Sequence, residues 1–298
     1  KPAVAGFFCL LTPEKGLTMK TTLKMKSTSH PAFVKLPLIL AMLLAVNACS
    51  KKEETPAAAA NPEPAATSAT AGAPSATPQS VDPAATAALK RMTDYLASLP
   101  AFSLDTSNTI DVVLDSGQKI QFDSATSFTA KRPNMFYGKR HGDIIKQDFF
   151  YDGKNLTLSN PDSNVYAVIA APATIDETLD FIANELDIVA PAADLLHKDA
   201  LQRLTGNASN GIIVGQSIIE GKTCDHLAFR SPDVDIQVWI EAGDKPAPCK
   251  YVITTTDLPS MPEFSVTVRD FNAAPKLTDA RFQFTPAQGA TQIDFLKK

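Results

Sequence analysis

The chain has 298 residues, with 28 basic and 32 acidic side chains, 16 Phe, one Trp and four Cys. Six Lys and one Glu fall within residues 1–48, so residues 49–298 hold 22 basic and 31 acidic groups, a formal net charge of −9. An acidic domain argues against nucleic acid as a partner, and residues 82–298 are long enough to bury one core.

The first Met is Met19 and the next is Met25; a start at either would leave residues 1–18 untranslated. Lys20, Lys24, Lys26 and Lys35 then precede the apolar run 36–46, the charge order and length of a secretory signal. That run is too short for a spanning helix, which needs ~20 apolar residues. Val46-Asn47-Ala48-Cys49-Ser50 resembles the bacterial lipoprotein signal, in which a small residue precedes a Cys that is lipidated at its thiol and becomes the new N-terminus. Residues 1–48 are therefore expected to be a signal sequence and Cys49 a lipid attachment site. By resemblance to enterobacterial sorting, Ser50 rather than Asp after the Cys favours the outer membrane, with the domain facing the periplasm. The alternative is a plain secretory signal with an incidental Cys. Residues 49–81 are rich in Ala, Pro, Thr and Ser and are expected to be a disordered tether, because they bury too little apolar surface to offset ordering entropy.

One domain, 82–298, is expected to follow. Asp82 and Pro83 form an N-terminal helix signature, and Leu89, Met92, Leu96 and Leu99 recur at helical spacing until Pro100. The period then becomes two. Strands are predicted at 106–114, 119–129, 134–140, 143–151, 155–159 and 165–169, separated by Gly, Asn, Asp and Pro turns, as in an antiparallel meander. Ile175, Leu179, Ile182, Leu186 and Val189 then predict a helix over 174–189, opened by a Thr174–Glu177 capping box. A further helix is predicted over 192–204, ended by Gly206. Strands resume at 212–220. In 224–240 a turn at Ser231-Pro232-Asp233 places Phe229 opposite Ile236, Leu227 opposite Val238, His226 opposite Trp239 and Arg230 opposite Asp235. Strands at 250–256 and 264–271 complete an α+β, mainly antiparallel chain.

The runs Gly221 to Arg230, Asp235 to Ile240, Pro246 to Thr254 and Phe282-Gln283-Phe284-Thr285-Pro286 resemble the DUF2092 family of bacterial secreted proteins of unknown function, over about 88–295. That resemblance implies a LolA/LolB-like half-open barrel, here of about 11 strands, with the 174–204 helices as a lid. The meander–helices–meander order fits it.

No nucleophile frame, phosphate loop or metal-ligand spacing is present: His141, His197 and His226 are scattered, so no metal, cofactor or catalytic residue is assigned. In an oxidising compartment Cys224 and Cys249 are expected to form a disulfide. The strand between them would have to be circumvented, because Cα atoms more than ~7 Å apart cannot be bridged; two separate thiols are the alternative. Candidate linings for an apolar ligand are Phe149, Phe150, Leu227, Phe229, Ile236, Val238, Trp239, Leu179, Ile182 and Leu186. The adjacent Phe149 and Phe150 must face opposite sides of their strand. The expected function is a monomeric, lipid-anchored periplasmic binding protein, attached to the membrane through that lipid and holding an acyl chain, lipid or lipoprotein. An envelope protein-interaction or sensor module with a filled interior is the alternative. An enzyme would need a cleft gathering His226 or His197 with two carboxylates.

Overall fold

The computed structural model describes residues 80–186, 188 and 193–295. The expected signal, Cys49 and the tether through residue 79 lie outside the described residues. The end of the tether already belongs to the fold. Val81 bridges Gly211, and the Asp82 amide donates to the Gly211 carbonyl at 2.9 Å.

Helix α1 spans Pro83–Ser98. The Asp82 carboxylate caps it, accepting from the Ala84 amide at 2.7 Å. Ala85, Ala88, Leu89, Met92 and Leu96 form its buried stripe. The first meander is β1 (Ala101–Val113), β2 (Lys119–Lys131), β3 (Met135–Gly142), β4 (Lys146–Tyr151), β5 (Asn155–Asn160) and β6 (Val165–Ala170). Helix α2 (Ile175–Asn184), a 3-10 turn Ala193–Leu196 and helix α3 (Ala200–Thr205) follow. The second meander is β7 (Asn210–Ile219), β8 (Lys222–Arg230), β9 (Val234–Glu241), β10 (Pro248–Thr255) and β11 (Glu263–Asn272), and a short β12 (Thr291–Ile293) lies near the end.

All twelve strands form one sheet in the order β12-β6-β5-β4-β3-β2-β1-β11-β10-β9-β8-β7. Each meander is built from neighbours in sequence. The joint between them is the pairing of β1 with β11, from Ser103 opposite Asn272 to Ile110 opposite Phe264. The sheet is left open between β12 and β7, a half-barrel with its helices on one face. The sequence predicted about 11 strands; the twelfth, β12, runs parallel to β6 and is exposed throughout. Three exposed residues carry no alternation from which to read it.

The helices divide the concave face. α1 packs with Leu195 and Leu204 against β8–β11, burying Leu227, Phe229, Ile236 and Val238. α2 packs on the first meander, burying Ile175, Leu179 and Ile182, with Leu186 just past its end, against Phe102, Phe136, Tyr151 and Leu156. The N-terminal helix therefore covers the second-meander half of the concave face. The lid also differs in detail from its prediction. α2 stops at Asn184 rather than 189, and the predicted 192–204 helix is broken at His197–Asp199. The Lys198 amide there donates to the Asp176 carboxylate of α2 at 3.2 Å instead of continuing a helix.

Candidate functional site

The alternation of the strands and their register arrange the concave face in cross-strand rows. Phe102, Ala130, Phe136 and Tyr151 lie opposite one another in the first row. Leu104, Phe128, Gly138 and Phe149 form the second, and Thr106, Thr126, Arg140 and Gln147 the third. A fourth runs Tyr251, Val266, Asn108, Ser124. Along every strand from β1 to β4 the inward face therefore passes from aromatic and aliphatic to polar within four residues.

A cavity of about 160 Å³ lies over these rows, where the two halves of the interior meet. Its floor includes Phe102, Leu104, Phe128, Phe136, Gly138 and Phe149, and its roof Leu96 of α1, Leu179 and Ile182 of α2, and Ala193, Leu195 and Leu196 of the 3-10 turn. Gly138 leaves the middle of the floor open. A Cβ there would meet only Phe128 at 3.5 Å and Phe149 at 3.9 Å, ordinary contacts. An apolar cavity of about 150 Å³ takes up a benzene, so this one holds about five methylene-sized groups.

The polar end is tied together on one side. Thr106 Oγ1 donates to Asn108 Oδ1 at 2.8 Å, and Asn108 Nδ2 donates to Thr126 Oγ1 at 2.9 Å. Arg140, on the same row as Thr126, is different. Its Nε is enclosed with no hydrogen-bond partner, as is Gln147 Oε1 across the strand pair. Burial pushes the Arg140 guanidinium down to about 10. Among the described residues no carboxylate lines the cavity. Lys250 borders it, but its ammonium sits 5.1 Å over the Trp239 ring on the convex face. Tyr251 lines the opposite wall with its hydroxyl buried and unpaired; burial, then the Asp194 charge, raises its pKa well above the usual range.

The roof is held by charge. Arg203 of α3 binds Asp180 of α2 at 3.0 Å and Asp199 at 2.8 Å. Arg132, on the β2–β3 turn, donates to the Leu196 carbonyl at 2.9 Å and lies 3.9 Å from Asp176. His197 is buried among these groups, 3.9 Å from Asp180. Burial lowers its pKa, and the Arg203 charge lowers it further against Asp180, Asp176 and Asp194.

Of the ten residues expected to line a ligand site, Phe149, Leu179 and Ile182 line the cavity. Leu186, just past the end of α2, is buried in the same cluster but does not line the cavity. Leu227, Phe229, Ile236 and Val238 face the same side of the sheet but are covered by α1. All four cross-strand pairs read from the β8–β9 stretch are present. Trp239 is on the convex face, stacked on His226 at 4.0 Å. Phe150 is also convex, against Tyr137 at 4.9 Å and Phe284 of the C-terminal segment at 5.3 Å. Arg140, Gly138 and Tyr251 were not singled out in the sequence. The signal for Arg140 was its spacing of two and four from Gly138 and Phe136.

Cys224 and Cys249 are joined by a disulfide with Cα atoms 6.7 Å apart. The register of β10 on β9 slips between Pro248 and Lys250, so Cys249 is a bulge residue where the chain wraps the end of β9. Cys224 lies opposite Glu241, the last residue of β9. The obstacle seen in the sequence is thus avoided at the strand end. Among the described residues no group of three or more His, Cys, Asp or Glu is arranged to hold a metal.

A family model described as a predicted periplasmic protein (DUF2092) matches residues 85–296. No curated protein matches the chain. Among solved structures, the chain is similar to an uncharacterized conserved protein from Thermus thermophilus at 12% identity and TM-score 0.42, over 71% of this chain and 99% of that one. It is similar to LprF from Mycobacterium bovis at 15% and 0.43, over 67% and 98%. It is also similar to a LolA superfamily protein from Nitrosomonas europaea at 12% and 0.34, over 67% and 97%.

Proposed function

We propose, from the premise that this chain belongs to the DUF2092 family of predicted periplasmic proteins, that it is a binding protein for an apolar or amphiphilic ligand, held between the sheet and its helical lid. The observation that carries this reading is the cavity itself. A core packed to ordinary density has few voids larger than a water, whereas this one is about 160 Å³ and lined mainly by aromatic and aliphatic side chains. Five buried methylenes at ~0.8 kcal/mol each contribute about 4 kcal/mol, enough to drive binding with no catalytic group. The volume fits the end of one acyl chain; a longer portion would need the roof to rise. Attachment through Cys49 to the outer membrane, with the domain facing the periplasm as a monomer, completes the reading and rests on the lipoprotein-like signal alone.

Native mass spectrometry with organic extraction, on protein purified from a periplasm, tests this. Reproducible co-purifying lipid that added fatty acid displaces is the expected result. A clean ligand-free mass, with no uptake of added fatty acid, would overturn it.

One observation favours a second reading, a protein-interaction module. β7 ends the sheet, and Ile212, Ile213, Val214 and Ile218 on it are exposed. An apolar edge strand is a template for another strand. Under this reading Ile218→Lys abolishes partner binding and leaves ligand uptake unchanged; under the binding-protein reading it changes neither.

A further inference from the structure

The cavity is not uniformly apolar, and its asymmetry carries more than a preference for grease. In register, three adjacent strands change character together: Phe102 and Leu104 give way to Thr106 on β1, Phe128 to Thr126 on β2, and Phe136 and Gly138 to Arg140 on β3. The apolar end lies under α2 and the 3-10 turn, while the Thr106–Asn108–Thr126 network closes one side of the polar end. Those three side chains satisfy one another. Arg140 does not share in the network, and among the described residues no ion pair or side-chain hydrogen bond involves it.

Arg140 is half-buried as a residue, and the part of its guanidinium enclosed without a partner is Nε. Taking a cation out of water is costly unless a counter-charge and hydrogen bonds replace the lost hydration. Buried arginines therefore carry carboxylate partners, and this protein uses that arrangement elsewhere: Arg203 with Asp180 and Asp199, and Arg132 beside Asp176. At Arg140 no described residue supplies that partner, although its side chain faces a cavity with room for one. Among the described residues the lining has no Asp or Glu, and Lys250, the other basic residue there, is turned to Trp239. The planar fork of an arginine matches a carboxylate or a phosphate with two parallel hydrogen bonds.

The geometry points to a ligand that is an acidic amphiphile: a single alkyl or acyl chain, its tail on the Phe102–Phe128–Phe136 end and its carboxylate or phosphate paired with Arg140. This rests on the binding-protein reading above and narrows it, since neutral lipids and the cationic class become poor ligands. Arg140 is then the residue that sets headgroup specificity, and the tail length is set by the roof.

A competition assay with a fluorescent fatty acid, on the full chain, separates the possibilities. The competitors are decanoate, decyl phosphate, decanol and decyltrimethylammonium, which share a tail and differ at the head. Decanoate or decyl phosphate should compete roughly tenfold to a hundredfold better than decanol, the range expected for a charge-assisted hydrogen bond. Which of the two anions leads identifies the source, a free fatty acid or a phosphate-bearing lipid. Arg140→Gln should remove the advantage of the anions while leaving decanol binding unchanged, so decanol also reports that the variant is folded. Arg140→Lys should restore part of the advantage, because it returns the charge without the fork. If Arg140→Gln does not fold, the head-group order on the unmodified protein decides alone. Decanol or the ammonium competing as well as decanoate would overturn the inference and leave the apolar-ligand reading standing. Failure of the fluorescent fatty acid to bind at all would overturn both.

Discussion

Gly138→Leu is the sharpest probe of the cavity. Gly138 sits in the second row of the floor, between Phe128 and Phe149, with no left-handed backbone requirement. A Cβ would meet its neighbours at 3.5 and 3.9 Å, so the first added carbon is accommodated without movement. Leucine adds four carbons, most of the room for about five methylene-sized groups that the cavity offers. Room for about five methylenes falls to about one. At ~0.8 kcal/mol per methylene the lost burial is about 3 kcal/mol, a weakening of at least a hundredfold. The fold should keep its stability, because a strand-interior glycine is itself unfavourable and the new side chain fills an existing void. Titration with the fluorescent fatty acid measures affinity, and thermal melting measures stability. Gly138→Ala is the control and should bind within a few-fold of the unmodified protein. A Gly138→Leu protein that melts normally and still binds with unchanged affinity would refute the assignment of the ligand to this cavity.

Three further outcomes follow from the same geometry. Cys224→Ser opens a bridge spanning 25 residues; on the chain-entropy model it should cost about 3 kcal/mol, read from denaturant unfolding with reductant as the parallel test. His197 is neutral in the folded protein because burial lowers its pKa below 6.5. As pH falls below 6.5 the unfolded chain takes up that proton first, so stability should drop from pH 6.5 until the folded value is reached. Asp194, raised above 3.8 by burial, acts in the opposite sense toward the acid end, and His197→Gln should flatten the His-linked slope of Tm against pH. Trp239 is the single tryptophan and lies on the convex face beside the disulfide. Its emission should therefore not change on ligand uptake but should change in Cys224→Ser; an emission shift that saturates with ligand would place the ligand on the wrong face.

Local pattern determined much of this protein. The Asp82–Pro83 helix start, the Thr174 cap and the four cross-strand pairs of the β8–β9 hairpin depend only on residues a few positions apart, and each is found in the structure. The family resemblance was readable for the same reason, since its motifs are contiguous runs. The fate of the apolar faces was not readable. Leu227 and Phe149 look alike in sequence, each an inward residue of a strand. One is sealed by α1 and the other borders the cavity, because the β1–β11 joint seats the two helices on different halves of the sheet. The disulfide depended on a bulge at Cys249, which periodicity does not show. Arg140 is the clearest case. Its spacing from Phe136 and Gly138 gives its face, but its missing counter-charge depends on residues 96 to 268 that the tertiary structure gathers around it. Burial and pairing are properties of those assembled surroundings, and only the fold decides them.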